Sequence, residues 1–461
     1  MRAGEKDSQA DSGVRMNYAR APRHYWTRPG PKPAVTSLPE VAGRLGLWFA
    51  VASVFLTPFN ILRFDAFYFT ISDGFALAAV FAAILGKSFS ISPLGAGTFL
   101  WNIGIALLCG MLLLSSLIHG DPQRGFIISA QYLYAYFLLA FMIVSRPWAE
   151  IVLLMKSFLC SIAVMCLQGI VIIDILKQRG TVFVSGNGRF QGWVERENEC
   201  ATLIALSVPL MLWLVASGCI RPRWLWVGLP LFGYGIILTG SNTGLIGLVF
   251  AVTIFVVATG SWRRIISLAV TSLAAFFIAV TWGRDFLPEV FQHRVLNALQ
   301  NGDLDEAGTF ADRMRLIHEA IGKADNNSLL GIGADQYRQV SELHAPVHNT
   351  YLLIWVEAGL PGFIGFLLLL VAGITIAILA ARSREGKVSA ICTATTVLLF
   401  AALANALPHL YSRFFLVPLL LGMAPSVAIL RDGPASRTVT RFLRGTRSKY
   451  GRSRPFLRRP I

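Results

Sequence analysis

The sequence predicts an all-α polytopic membrane protein of about 12 transmembrane helices, with one large extracytoplasmic loop containing short helices. Three observations carry this. Of the 461 residues 55% are hydrophobic and only 14% charged, with a mean hydropathy of +0.60, whereas soluble domains are about one quarter charged. Apolar runs of roughly 20 residues, the length that crosses a hydrocarbon layer, recur along the chain. The formal net charge of +16 is gathered at the two ends.

The spans are expected near 45–62, 66–86, 98–118, 125–145, 151–175, 199–217, 224–240, 242–260, 264–282, 358–381, 388–407 and 413–430. Residues 1–44 hold eight Lys/Arg against four acids, and residues 431–461 hold ten against one. An even number of spans returns both basic tails to one side, which the positive-inside rule makes cytoplasmic. Lys87, Arg146, Arg221, Arg223, Arg263, Arg264, Arg382, Arg384 and Lys387 then fall in inner loops, in agreement. Anchoring against anionic lipid accounts for the tails better than nucleic-acid binding does. No cleavable signal precedes the first span, which is expected to serve as its own insertion signal. The chain therefore divides into a basic N-terminal tail (1–44), spans one to nine (45–282), an extracytoplasmic loop with the catalytic motif (283–357), spans ten to twelve (358–430) and a basic C-terminal tail (431–461).

Two connections are too long to be simple turns, 176–198 and 283–357, and both fall on the outer face. From 283 to 347 the longer one carries ten acids against six Lys/Arg. Thr309 and Asp312 resemble a capping box, and Phe310, Met314, Ile317 and Ile321 follow at helical spacing, so a small helix is expected to pack there on that stripe.

Nucleotide chemistry is excluded by motif. Gly86-Lys87-Ser88 ends like a P-loop, but Phe81 stands where the first glycine belongs, and Gly186, Gly188 and Gly192 follow no strand. The six cysteines lie in or beside apolar runs without a CxxC and read as small buried hydrophobes. His344 and His348 are four apart, but Pro346 separates them and no third ligand is evident, so no metal and no cofactor is expected.

The polar chemistry gathers in the two outer loops. Lys177, Arg179, Arg189 and Arg196 lie in the first, Arg313 and Arg315 on the small helix of the second. Arginine suits forked recognition of phosphate. His348 reads as a lone base or hydrogen-bond partner at the outer end of span ten. Glu357, nine residues on, would lie about 13 Å and half a turn away on a continuous helix, so it reads as satisfying backbone at a broken helix. Asp73, Lys156 and Asp174 sit in or near spans, either as isolated interhelical contacts or as a transporter's ion relay.

Three patches resemble the O-antigen ligase and Wzy-type polysaccharide polymerase superfamily. His348-Asn349-Thr350-Tyr351-Leu352 followed by Glu357-Ala358-Gly359-Leu360-Pro361-Gly362 is similar to that family's HN-xx-L…E-x-G-xx-G signature. Asp312-Arg313-Met314-Arg315-Leu316 with Ser328-Leu329-Leu330-Gly331-Ile332-Gly333 resembles its Arg-led loop helix and P-L-x-G-x-G turn, with Ser328 in place of Pro. Arg189-Phe190-Gln191-Gly192 with Asn198-Glu199-Cys200-Ala201 resembles its R-xx-G…N-xx-A stretch. One departure is Ser241-Asn242-Thr243-Gly244, where the family often has Ser-Arg-Thr/Ser-Gly.

The resemblance implies a metal-independent glycosyltransferase of the bacterial inner membrane. It would polymerise undecaprenyl-pyrophosphate-linked repeat units into exopolysaccharide or O-antigen on the outer face. His348 would be catalytic, Arg189 and Arg313 would hold the pyrophosphate, and Arg315, Arg196, Asn349 and Glu357 would support them. Its partners would be the lipid-linked glycan donor, a glycan or lipid acceptor, membrane lipids and other polysaccharide export proteins, with no nucleic acid. The alternatives are a ligase transferring glycan to lipid A core and, from a different class, a lipid-linked oligosaccharide flippase.

Overall fold

The computed structural model describes residues 38–64, 68–86, 90–260, 288–292, 310–408 and 412–450, the side chains of 38, 290, 310 and 433–450 excepted, together with single positions between 263 and 281. It is an all-α bundle. Its helices are α1 (Leu38–Leu56), α2 (Ile71–Leu85), α3 (Thr98–Ile118), α4 (Pro122–Ile143), α5 (Trp148–Ile175), α6 (Glu197–Ala216), α7 (Leu225–Thr239), α8 (Asn242–Ala258), α9 (Phe310–Asn326), α10 (Thr350–Ala381), α11 (Lys387–Leu403) and α12 (Arg413–Tyr450). Among the described residues seven of these are long and apolar enough to cross a membrane, namely α1, α3, α4, α5, α6, α10 and α12, the third counted with the turn before it. Helices α2, α8 and α11 are shorter and apolar. The expected span at 264–282 lies outside the described residues.

Helix ends differ from expectation where local chemistry intervenes. The first helix stops at Leu56, and Pro58 and a two-stranded hairpin, β1 (Arg63–Phe64) with β2 (Phe69–Thr70), follow it. Helix α4 begins at Pro122 because the Asp121 carboxylate caps it, accepting from Gln123 N at 2.9 Å and Arg124 N at 3.2 Å. The middle of α4 widens to a π turn over Tyr134–Leu138, and the Tyr136 carbonyl there accepts from Trp101 Nε1 at 2.7 Å.

Helices α6 and α12 form the centre, with 83% of each apolar window buried, against 28% for α1. Helices α3 and α10 cross closely. A Cβ on Gly104 would stand 2.7 Å from the Gly365 carbonyl, so only small residues let these backbones approach.

Hydrogen bonds between loops define two ends of the bundle. At one, Arg146 donates to Gly46 O at 3.1 Å and Arg431 to Arg146 O at 3.0 Å. At the other, the segments 57–70, 119–124, 176–198, 239–242, 327–350 and 404–413 are tied to one another, for example Phe190 N to Leu238 O at 2.9 Å and Thr350 N to Ala404 O at 2.8 Å.

The loop helix α9 forms where the sequence placed it, but on a shifted face. Leu316, Ala320 and Ala324 are buried, while Ile321 is 42% exposed. Residues 316, 320 and 324 repeat at i, i+4, i+8, and the two alanines let α9 settle closely on α10. The expected stripe favoured large side chains, and close packing favoured small ones.

Asp73 is not an isolated contact. Its carboxylate lies 2.8 Å from Arg413 Nε, both residues are buried, and Thr70 donates to it from N at 2.6 Å and Oγ1 at 2.9 Å. Asp174 accepts from Tyr234 Oη at 3.0 Å.

Candidate functional site

The second end of the bundle holds the three motif patches. The 176–196 segment folds back on itself through a bridge between Val184 and Phe190. Arg189, at its base, is 6% exposed. Its Nε donates to Thr239 O at 2.8 Å, its Nη2 to Asn198 Oδ1 at 3.2 Å, and its Nη1 lies 3.7 Å from Glu197. Arg189 therefore joins the start of α6 to the α7–α8 turn. That turn is Gly240 in a left-handed conformation (φ 58°) followed by Ser241, which caps α8 through Gly244 N. The guanidinium thus reaches the turn that carries Asn242, where the family motif often has arginine.

The second and first patches interlock. Helix α10 is broken at Gly359, whose φ of 67° and ψ of −179° are open only to glycine. The 328–333 turn enters this break. Ile332 N donates to Val356 O at 2.9 Å, Gly333 N to Glu357 O at 3.1 Å, and Leu360 N to Ser328 O at 2.7 Å. Ser115 Oγ also donates to Glu357 O, at 2.7 Å. The Glu357 carboxylate is buried and accepts from Tyr337 N at 3.4 Å. The backbone groups released by the break are thereby satisfied within the protein, as burial requires.

His348 precedes α10 at a fixed point. Asn349 caps that helix, its Oδ1 accepting from Leu352 N at 3.1 Å, and Thr350 is bolted to α11 and its C-terminal loop through Ala404 O and, from Oγ1, Leu407 O at 2.7 Å. The imidazole is half-buried. Burial first, then the charges of Arg313 and Arg196, push it down from its ordinary 6.5 to about 4. Arg313 and Arg196, each from a separate segment, thus lie within electrostatic reach of His348.

The structure does not bring in Arg315 or His344. Two residues along a helix are about 200° apart, so Arg313 and Arg315 point to different sides. Arg315 is 61% exposed and pairs with the exposed Glu342. His344 is also exposed, at a left-handed φ of 47°. Among the described residues no three His, Cys, Asp or Glu side chains gather as a metal site would require.

Three residues of this end carried no sequence signal. Asp335, buried, accepts from Arg124 Nε at 2.7 Å and Arg338 Nη2 at 2.8 Å. Arg63 lies 2.7 Å from Glu195. Tyr68 has the guanidiniums of Arg63 and Arg124 over its ring, 5.5 and 5.7 Å from the centroid. The Arg124–Asp335, Arg63–Glu195 and Arg124–Tyr68 pairings join loops far apart in sequence.

The family model described as O-antigen ligase matches residues 227–367. Residues 227–367 are thus similar to an O-antigen ligase domain. This supports the superfamily resemblance that the motifs carry. The O-antigen ligase match runs from α7 into α10 and so includes Arg313, Arg315, His348, Asn349 and Glu357, while Arg189 and Arg196 lie before it. Comparison with curated proteins finds no match.

Proposed function

We propose that this protein is a metal-independent glycosyltransferase of the bacterial inner membrane, polymerising undecaprenyl-pyrophosphate-linked repeat units into exopolysaccharide or O-antigen on the outer face. One observation carries the reading: His348 lies within electrostatic reach of two arginines, Arg313 and Arg196, delivered by different segments. Fixed cations beside a neutral imidazole are what displacement of a pyrophosphate by a hydroxyl needs.

In this mechanism the acceptor hydroxyl oxygen attacks the anomeric carbon of the donor sugar. The bond from that carbon to the pyrophosphate oxygen breaks, and lipid pyrophosphate leaves with the electron pair. Arg313 and Arg196 face the developing negative charge. His348, neutral at physiological pH, accepts a hydrogen bond from the hydroxyl and takes its proton as attack proceeds. The bound pyrophosphate offsets the two cations, so donor binding raises the basicity of the imidazole. Arg189, expected as a direct pyrophosphate ligand, supports the site from beneath by holding the Asn242 turn to α6. Asn349 fixes the start of α10 and Glu357 the break within it. A polyprenyl tail would lie between helices, and the basic tails would face cytoplasmic lipid.

A second reading, transfer of the finished glycan to a lipid A core acceptor, is equally compatible with the O-antigen ligase match. Purified protein in liposomes, supplied with a defined undecaprenyl-pyrophosphate oligosaccharide with and without lipid A core, tests both. Longer chains from donor alone support the polymerase, and transfer only to the core supports the ligase. Movement of donor across the bilayer with neither product would replace both by a transporter.

A further inference from the structure

We propose that the hairpin segment between α1 and α2 is a positioning arm for the functional site, in which the Arg63–Glu195 ion pair fixes Arg196 on the His348 face. The inference rests on the reading of His348, Arg313 and Arg196 given above, and Arg63 is on this view a positioning residue that touches no substrate.

Residues 59–63 grip residues 193–195 along their length. Phe59 stacks on Trp193 with ring centroids 3.9 Å apart. Asn60 N and Ile61 N both donate to Trp193 O, at 2.9 and 3.2 Å. Arg63 Nη1 lies 2.7 Å from Glu195 Oε2, and Asn60 Nδ2 donates to the same oxygen at 3.5 Å. Glu195 has a φ of 74°, a left-handed conformation that a residue with a Cβ adopts only when its surroundings impose it. The next residue, Arg196, is extended (φ −136°, ψ 136°) and occupies the position just before α6 without a capping hydrogen bond from its side chain. One left-handed residue followed by an extended one sets the direction in which Arg196 leaves the chain. The adjacent acids are engaged elsewhere, Glu195 by Arg63 and Glu197 by Arg189, while Glu199, in the first turn of α6, is within electrostatic reach of both Arg196 and Arg63. Arg196 itself is exposed and within electrostatic reach of His348.

The same arm reaches the other half of the site. Tyr68 lies beneath both Arg63 and Arg124, and Arg124 Nη2 is 2.6 Å from Asp335, beside the turn that interlocks with α10. A segment outside the matched domain thus joins the loop bearing Arg196 to the turn that locks the helix after His348. Misplacement of about 1 Å at a reacting centre costs up to about a hundredfold in rate, so bracing an exposed arginine has a direct catalytic consequence.

The test uses the full chain in liposomes with undecaprenyl-pyrophosphate oligosaccharide, measuring donor KM, kcat and the acid limb of the pH–rate profile. Among the described residues, Arg313 and Arg196 are the cations acting on His348. Arg196→Ala is expected to raise donor KM and to move the acid limb to higher pH, because one cation facing the imidazole is gone. Arg63→Ala and Glu195→Gln should shift both in the same direction, with roughly three- to tenfold loss in kcat/KM. Glu195→Gly, at ease at positive φ but lacking the carboxylate, should stay impaired. The reversed pair Arg63→Glu with Glu195→Arg should recover most of the loss. Should Arg63→Ala fail to accumulate, Glu195→Gln carries the comparison, since it deletes only a charge. Normal kinetics and an unmoved acid limb in Arg63→Ala or Glu195→Gln, while His348→Ala is inactive, overturn the positioning role alone. A loss in the single variants that leaves the acid limb in place and is not recovered by the reversed pair also overturns it. Full activity in His348→Ala overturns the functional reading beneath it.

Discussion

Gly331 packs directly against Glu357: a Cβ at Gly331 would overlap the Glu357 carbonyl and stand 2.6 Å from Gly359 N. The two motifs touch here backbone to backbone. Gly331 has a φ of 74° and Gly359 a φ of 67°. Gly331→Ala and Gly359→Ala should each cost at least about 1–3 kcal/mol from strain alone, before the overlap is relieved. Gly322→Ala is the control. It lies within α9 with nothing within 4 Å, and should stabilise by about 0.4–1 kcal/mol. Thermal unfolding in detergent checks the order of the three.

The pH dependence follows from His348. If the neutral imidazole is the working form, activity is full above its pKa and is lost as pH falls through it. In the free protein that value is pushed down to about 4, so kcat/KM should stay level well below pH 6. Bound pyrophosphate raises the value, so the acid limb of kcat should lie at higher pH than that of kcat/KM. Coincident limbs near the ordinary 6.5 would count against the two flanking cations. His348→Ala should abolish turnover at unchanged protein level, His344→Ala should cost much less, and EDTA should have no effect.

The arginines should separate into three kinds. Arg313→Ala removes a charge-assisted contact of about 1.5–3 kcal/mol, a loss of roughly tenfold to a hundredfold in activity. Arg313→Lys should recover it in part, because an ammonium offers no fork. Arg315→Ala should be mild, since exposed pairs contribute about 0–1 kcal/mol. Arg189→Ala should lower the amount of folded protein, because it strips partners from Thr239 O, Asn198 and Glu197. Asn242→Ala, which removes no charge, should be mild. Quantified membrane protein beside chain elongation separates loss of fold from loss of chemistry.

Asp73 and Arg413 test whether the buried pair is structural. Asp73→Asn leaves the Arg413 charge without its partner and should destabilise by about 3–5 kcal/mol. A double change to apolar residues of similar volume should be much milder than either single one. A proton relay would instead give well-folded single variants with a displaced pH optimum, and a melting curve beside an activity profile distinguishes the two.

The sequence by itself determined the class of the protein and pointed to the segments of its candidate site. Apolar run length fixes helices because hydrocarbon leaves backbone no other partner, and helices stand at the expected spans wherever the chain is described. His348, Arg313 and the glycines of the 331–362 stretch were legible because helix starts, turns and breaks have local residue requirements. Tertiary structure alone decided which arginine faces His348. Arg189, Arg196, Arg313 and Arg315 are alike in sequence, but Arg189 is buried under a turn, Arg315 pairs with Glu342 on the surface, and Arg196 and Arg313 lie within electrostatic reach of the imidazole. It alone paired Asp73 with Arg413, Arg63 with Glu195 and Arg124 with Asp335, partners 340, 132 and 211 residues apart. The pattern along a chain reports which side chains can be buried or charged; the partner of a charge depends on how helices cross, and that is set by packing at contacts such as Gly104 on Gly365.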